Sequence, residues 1–194
     1  MSRRAILVLD IAVKVALIVL LLHAVANPDL PQYSGKAMFG RAVTFPIAAF
    51  LVPVIWLIGF RRQPYPALVD LLITLPFLID VAGNALDLYD TIEWWDDFNH
   101  FFNWVLLTSA VALVLRGTGL GRLNCFGLAV GFAALSAIAW ELAEYVTFIR
   151  SSSELATAYM DTLGDLALGP LGGAVGAAIV GLRSPRTTPA RSRP

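Results

Sequence analysis

Cysteine occurs once in this chain, at Cys125, so no intrachain disulfide, thiolate zinc site or iron–sulfur cluster can be built from it. Charge is also scarce. Only 14% of the residues are Asp, Glu, Lys or Arg, against about 25% in a soluble domain. The formal net charge is zero, which removes any general electrostatic argument for a nucleic-acid partner. Histidine appears twice, and the chain contains no HExxH, no glycine-rich phosphate loop and no GxSxG. Any metal would therefore need carboxylate, imidazole or amide ligands.

What fills the sequence instead is apolar. Hydrophobic residues make up 58% of it and the mean hydropathy is +0.72. A bilayer core of about 30 Å calls for roughly 20 apolar residues per helix. Six stretches approach that length, near residues 5–26, 42–60, 66–86, 98–115, 123–149 and 161–182. The expected fold is an all-α polytopic membrane bundle of about six transmembrane helices, forming a single domain over residues 1–182. Residues 183–194, rich in Arg, Ser, Thr and Pro, read as a disordered basic cytoplasmic tail.

Lys and Arg in short loops are retained in the cytoplasm. With the N-terminus inside, ten arginines fall in cytoplasmic segments (Arg3, Arg4, Arg61, Arg62, Arg116, Arg122, Arg183, Arg186, Arg191 and Arg193), against three basic residues outside, Lys36, Arg41 and Arg150. This places both termini in the cytoplasm. Arg3, Arg4 and the apolar run that follows also resemble a cleavable signal peptide. Asp10 and Lys14, one helical turn apart, suit a retained helix with an internal ion pair better.

The acidic residues gather at the predicted outer face. The third span ends with Asp80, Asn84 and Asp87 on one helix face, and the fourth begins with Asp96, Asp97 and His100. The fifth carries Glu141, Glu144 and Tyr145 in its last turns, and the sixth opens with Asp161 and Asp165. A carboxylate in hydrocarbon costs on the order of 2.5 kcal/mol or more without a partner, so intramembrane acids are functional candidates. A divalent cation would neutralise such a cluster, with His100, Glu141, Asp161 and Asp165 as its ligands and Glu141, Glu144 and His100 as catalytic groups. The competing reading is an acidic face left over from the charge bias. Asp90, Glu93 and Glu154 read as solvated loop residues, and Asp96 and Asp161 as helix-dipole partners.

Other features read as architecture. Gly127 and Gly131 in the fifth span and Gly169, Gly172, Gly173 and Gly176 in the sixth read as packing faces within the bundle. Pro76 and Pro170 are expected to bend their spans, and Trp94 and Trp95 to belong to an interfacial aromatic belt.

Three short motifs carry a family resemblance: Trp95-Asp96-Asp97-Phe98-Asn99-His100-Phe101, Trp140-Glu141-Leu142-Ala143-Glu144-Tyr145, and Asp161-Thr162-Leu163-Gly164-Asp165-Leu166. The pattern resembles the YjdF-type family of uncharacterised bacterial inner-membrane proteins and, more distantly, VanZ-like proteins, which are linked with glycopeptide resistance at the cell envelope. The resemblance implies a small multi-span membrane protein and singles out His100, Glu141, Glu144, Asp161 and Asp165. It brings no reaction with it. Two readings stay open on sequence: a metal-dependent hydrolase or transferase acting on a membrane lipid or lipid-linked envelope substrate, and a cation, proton or lipid binding or transport protein without catalysis.

Overall fold

Ser2 starts the first helix, its hydroxyl accepting the Ala5 N–H at 3.2 Å, and the uninterrupted apolar run carries α1 from Arg3 to Ala26. At 24 residues it is about 36 Å long, enough to cross a bilayer. The computed structural model describes residues 1–147 and 149–182, without the side chains of Ser153, Glu154 and Leu182. The expected disordered tail lies outside the described residues.

The helices that follow are α2 (Met38–Ala49), α3 (Leu51–Ile55), α4 (Ala67–Ala85), α5 (Leu88–Thr91), α6 (Trp95–Arg116), α7 (Arg122–Thr147) and α8 (Ala158–Leu182). A π-helical turn over Trp56–Phe60 extends α3, so that α2, α3 and this turn make one span. Six helical stretches are long and apolar enough to cross a membrane, and no strand is present among the described residues. The protein is an all-α, multi-pass membrane bundle. Large apolar side chains such as Leu22, Ile58, Leu123 and Leu135 point outward, as a lipid solvent requires.

The start of α1 and the end of α8 share one face of the bundle, the terminal face; the opposite end is the distal face. Helix α4 continues through Pro76 and α8 through Pro170. The interruption falls instead in the second span, at Phe50, between Pro46 and Pro53. Two prolines seven residues apart each remove a backbone donor from the helical ladder, which accounts for a break between them.

The most extensive packing joins α6 to α8, followed by α1 to α4 and α7 to α8. Helix α1 lies parallel to α4, and α6 parallel to α8, while α7 packs antiparallel on α8. Lipid supplies no hydrophobic force between helices, so close backbone approach must supply the attraction. At Gly172 a Cβ would fall on the Phe101 carbonyl, and at Gly176 on the Val105 carbonyl. Gly169 and Gly173 meet Ala137 and Ala133 of α7 in the same way. Helices α6, α7 and α8 are thus pressed together over their middle turns. Gly127 and Gly131 differ from expectation: among the described residues nothing lies within 4 Å of a Cβ at either position, so no packing contact within the described bundle is seen there.

An apolar layer divides the other half of the bundle. Leu17 and Leu21 of α1, Phe45 and Ala49 of α2 and Val81 of α4 are buried together, with Phe77 and Trp140 against them. Polar residues lie above and below this layer. Replacing Gly172 or Gly176 by Val should lower the stability of the detergent-solubilised protein by about 1–3 kcal/mol through overpacking. Gly131→Ala should leave it unchanged or raise it by up to about 1 kcal/mol through better helix propensity. Thermal unfolding followed by tryptophan fluorescence separates the two behaviours.

Candidate functional site

At the distal face the chain leaving α1 turns back through Ala37, which adopts a left-handed conformation (φ 51°), and enters α2 with Arg41 in its first turn. Arg41 reaches three elements. Its Nε donates to Asp80 Oδ2 of α4 at 2.9 Å, its Nη2 lies 3.8 Å from Glu144 Oε1 of α7, and its Nη1 donates to the Lys36 carbonyl. Asp80 is further held by the Tyr89 hydroxyl, which donates to Oδ1 at 2.9 Å. Lys36 completes the layer by pairing with Asp90 at 2.6 Å and lying 5.9 Å from the Tyr89 ring centre. Asp90, read from sequence as solvated, is exposed and also ion-paired.

Tyr89 stands between the spans. Burial above all, then the negative charges of Asp80 and Asp96, hold its phenol well above the usual tyrosine range, so it remains a hydrogen-bond donor. Gly83 makes room for it: a Cβ there would strike Tyr89 and the indole of Trp95. Trp95 therefore lines the site, whereas Trp94 is exposed as an interfacial residue would be.

The second half of the site centres on His100, buried in the second turn of α6. The close approach of α6 and α8 at Gly169 and Gly172 lets two short side chains meet, and Asp165 of α8 comes to His100. His100 Nδ1 lies 3.6 Å from Glu141 Oε1 and 3.6 Å from Asp165 Oδ1, and Nε2 lies 3.7 Å from Asp96 Oδ1. These separations exceed the roughly 2.7–3.2 Å of a hydrogen bond. Taken singly, each is close to one edge of a coordination shell, since ligands about 2.0–2.2 Å from a tetrahedral ion stand about 3.3–3.6 Å apart. Glu141 Oε1 is buried with no hydrogen-bond partner, although a buried acceptor is normally satisfied.

Two overlapping sets of ligand atoms fall within 4.8 Å of one another: Asp96, His100 and Asp165, and His100, Glu141 and Glu144. Both share His100. The remaining sequence candidates stand apart from them. Asp161 is exposed one turn before Asp165, and Asp97 is exposed beside Gly164. Tyr145 is half-exposed. Asn84 is buried and donates to the Asp80 carbonyl at 3.0 Å. Asp87 leaves the face it was expected to share with Asp80 and Asn84, because α4 ends at Ala85 and Asp87 turns left-handed (φ 59°).

Arg41, Lys36 and Tyr89 were not among the sequence candidates. Arg41 and Lys36 had been counted only as charges in an outer loop. An arginine inside the first turn of an apolar span, on the same face as four acid-bearing helices, was the available signal.

Fold and residue placement define a multi-pass helical membrane protein with acids from four spans drawn together at one end. The chain belongs to the family described as "Predicted membrane protein (DUF2238)", which matches residues 8–186. No curated protein and no solved structure matches it.

Arg41→Met should destabilise the protein by on the order of 3 kcal/mol, because it strands the buried Asp80 carboxylate beside Glu144. Arg41→Met combined with Asp80→Asn should recover part of that loss in detergent unfolding. Because the Tyr89 phenol titrates higher when folded, its stabilising contribution is full below about pH 10 and falls as pH rises beyond that. Tyr89→Phe should flatten this alkaline decline in unfolding midpoints measured across pH.

Proposed function

We propose that this protein is a membrane metalloprotein in which His100 and the carboxylates gathered around it, Asp96 with Asp165 and Glu141 with Glu144, hold a divalent cation. The observation that carries the reading is the pair of 3.6 Å separations from His100 Nδ1 to two buried carboxylates, one of which has an oxygen without a partner. A cation placed among these atoms would satisfy that oxygen and offset the mutual repulsion of the acids. One imidazole with carboxylates suits zinc, manganese or magnesium.

The function this site supports best is a metal-dependent hydrolase or transferase acting on a lipid or lipid-linked envelope substrate. The cation would polarise a phosphoryl or carbonyl oxygen or activate a water. Glu144, 3.8 Å from Arg41, would serve as general base. Asp96 is partly exposed, which gives the site an approach from the distal surface. The arginine bias of the loops turns that surface outward from the cytoplasm. The motif resemblance to YjdF-type and VanZ-like proteins supports a place in the bacterial inner membrane. Ion transport is disfavoured by the apolar layer of Leu17, Leu21, Phe45, Phe77 and Val81, which lies between this cluster and the polar residues of the terminal half.

Elemental analysis of protein purified in mild detergent without chelator tests the reading. Wild type and Asp161→Asn should carry near-stoichiometric metal, and Glu141→Gln and Asp165→Asn should lose it. Metal-free wild type after dialysis against zinc, manganese and magnesium, with all variants equally stable, would remove the metalloenzyme reading.

A further inference from the structure

A second polar cluster lies below the apolar layer, about 15 Å along α4 from Asp80, where the charge balance calls for an additional ligand. Lys14 of α1 places its Nζ 2.6 Å from Asp10 Oδ1 and 2.7 Å from Asp70 Oδ2 of α4. The Tyr65 hydroxyl donates to the same Asp70 Oδ2. Asp10, Lys14 and Asp70 are all more than nine-tenths buried, and Asp70 has no exposure at all. Two carboxyl groups therefore share one ammonium. With both ionised, the cluster would hold an uncompensated negative charge in a low-dielectric interior, at a cost of several kcal/mol.

Two further observations identify what is missing. Asp70 Oδ1 is buried without a hydrogen-bond donor. Lys14 Nζ lies within 2.7 Å of an oxygen of each acid, which brings the Asp10 and Asp70 carboxyl groups together, and two such acceptors attract each other only when one proton lies between them. Other charged groups do not supply the balance. In α2 the one charged residue is Arg41, which is engaged at the distal face, and α3 with its π-helical turn has none. Arg3 donates to the Tyr65 carbonyl at 3.2 Å, and Arg116 is exposed at the end of α6.

We propose that Asp10, Lys14 and Asp70 form a buried proton-binding site in which the two carboxyl groups share a single exchangeable proton beside the lysine ammonium. The site joins α1 to α4, with Tyr65 of the preceding link closing it. Bound proton makes the cluster neutral and holds the two helices together. Loss of the proton leaves a net negative charge between them and loosens the contact. This assignment is independent of the distal cluster and of any cation there.

Infrared spectroscopy of the full chain in lipid vesicles reads the proton directly, through the C=O band of un-ionised carboxyl groups. At neutral pH, Asp10→Asn and Asp70→Asn should each remove the same one-carboxyl component of that band, and the double variant should remove no more than either alone. Lys14→Met, which takes away the cation paired with both acids, should instead add one carboxyl equivalent. If one Asp variant fails to fold, the other must still remove the whole component. A band that neither Asp variant changes, or losses that add in the double variant, would overturn the shared proton.

Discussion

Carboxylates do not sit alone in hydrocarbon, and most of what distinguishes this molecule from a generic bundle follows from that constraint. Each buried acid must meet a cation, a donor or a proton. Asp80 meets Arg41 and Tyr89, and Glu144 faces the far side of the same guanidinium. Asp10 and Asp70 divide Lys14 between them. Glu141 and Asp165 face an imidazole at distances too long for hydrogen bonding. The acids paired with Arg41 and Lys14 tie helices together; those around His100 are the ones for which a bound cation is proposed.

Glycine packing turns this constraint into geometry. Helix α8 can bring Asp165 to His100 only because Gly169, Gly172 and Gly176 let its backbone approach α6. On the other side Arg41 draws α2, α4 and α7 toward one point, so Glu141 and Glu144, one turn apart, face His100 and Arg41 respectively. The distal site thus has a cationic anchor on one flank and an imidazole on the other. Between this end and the lower cluster, Leu17, Leu21, Phe45 and Phe77 form an apolar layer that parts two polar regions.

Much of this was legible in the sequence, and the exceptions share a cause. Helix length and apolar runs were enough for an all-α membrane bundle, because each signal is local to its own span. The grouping of acids from four helices at one end also followed from span order alone. The i, i+4 pair of Asp10 and Lys14 was readable, but Asp70, their third partner, lies 56 residues beyond Lys14 and joins only through packing of α1 on α4. Arg41 was hidden by the loop-charge count, which treats every basic residue near a span end as solvent-facing. The outward face of Gly127 and Gly131 and the left-handed turn at Asp87 likewise depend on neighbours and backbone geometry that spacing does not encode.

The most direct measurement of the central claim is X-ray absorption at the edge of the metal carried by the purified protein. The account predicts a first shell of one imidazole nitrogen with carboxylate oxygens at about 2.0–2.2 Å, and loss of the imidazole signature in His100→Ala. A shell of oxygen alone, or an imidazole signature that persists in His100→Ala, would contradict the placement of a cation at His100 and the carboxylates around it.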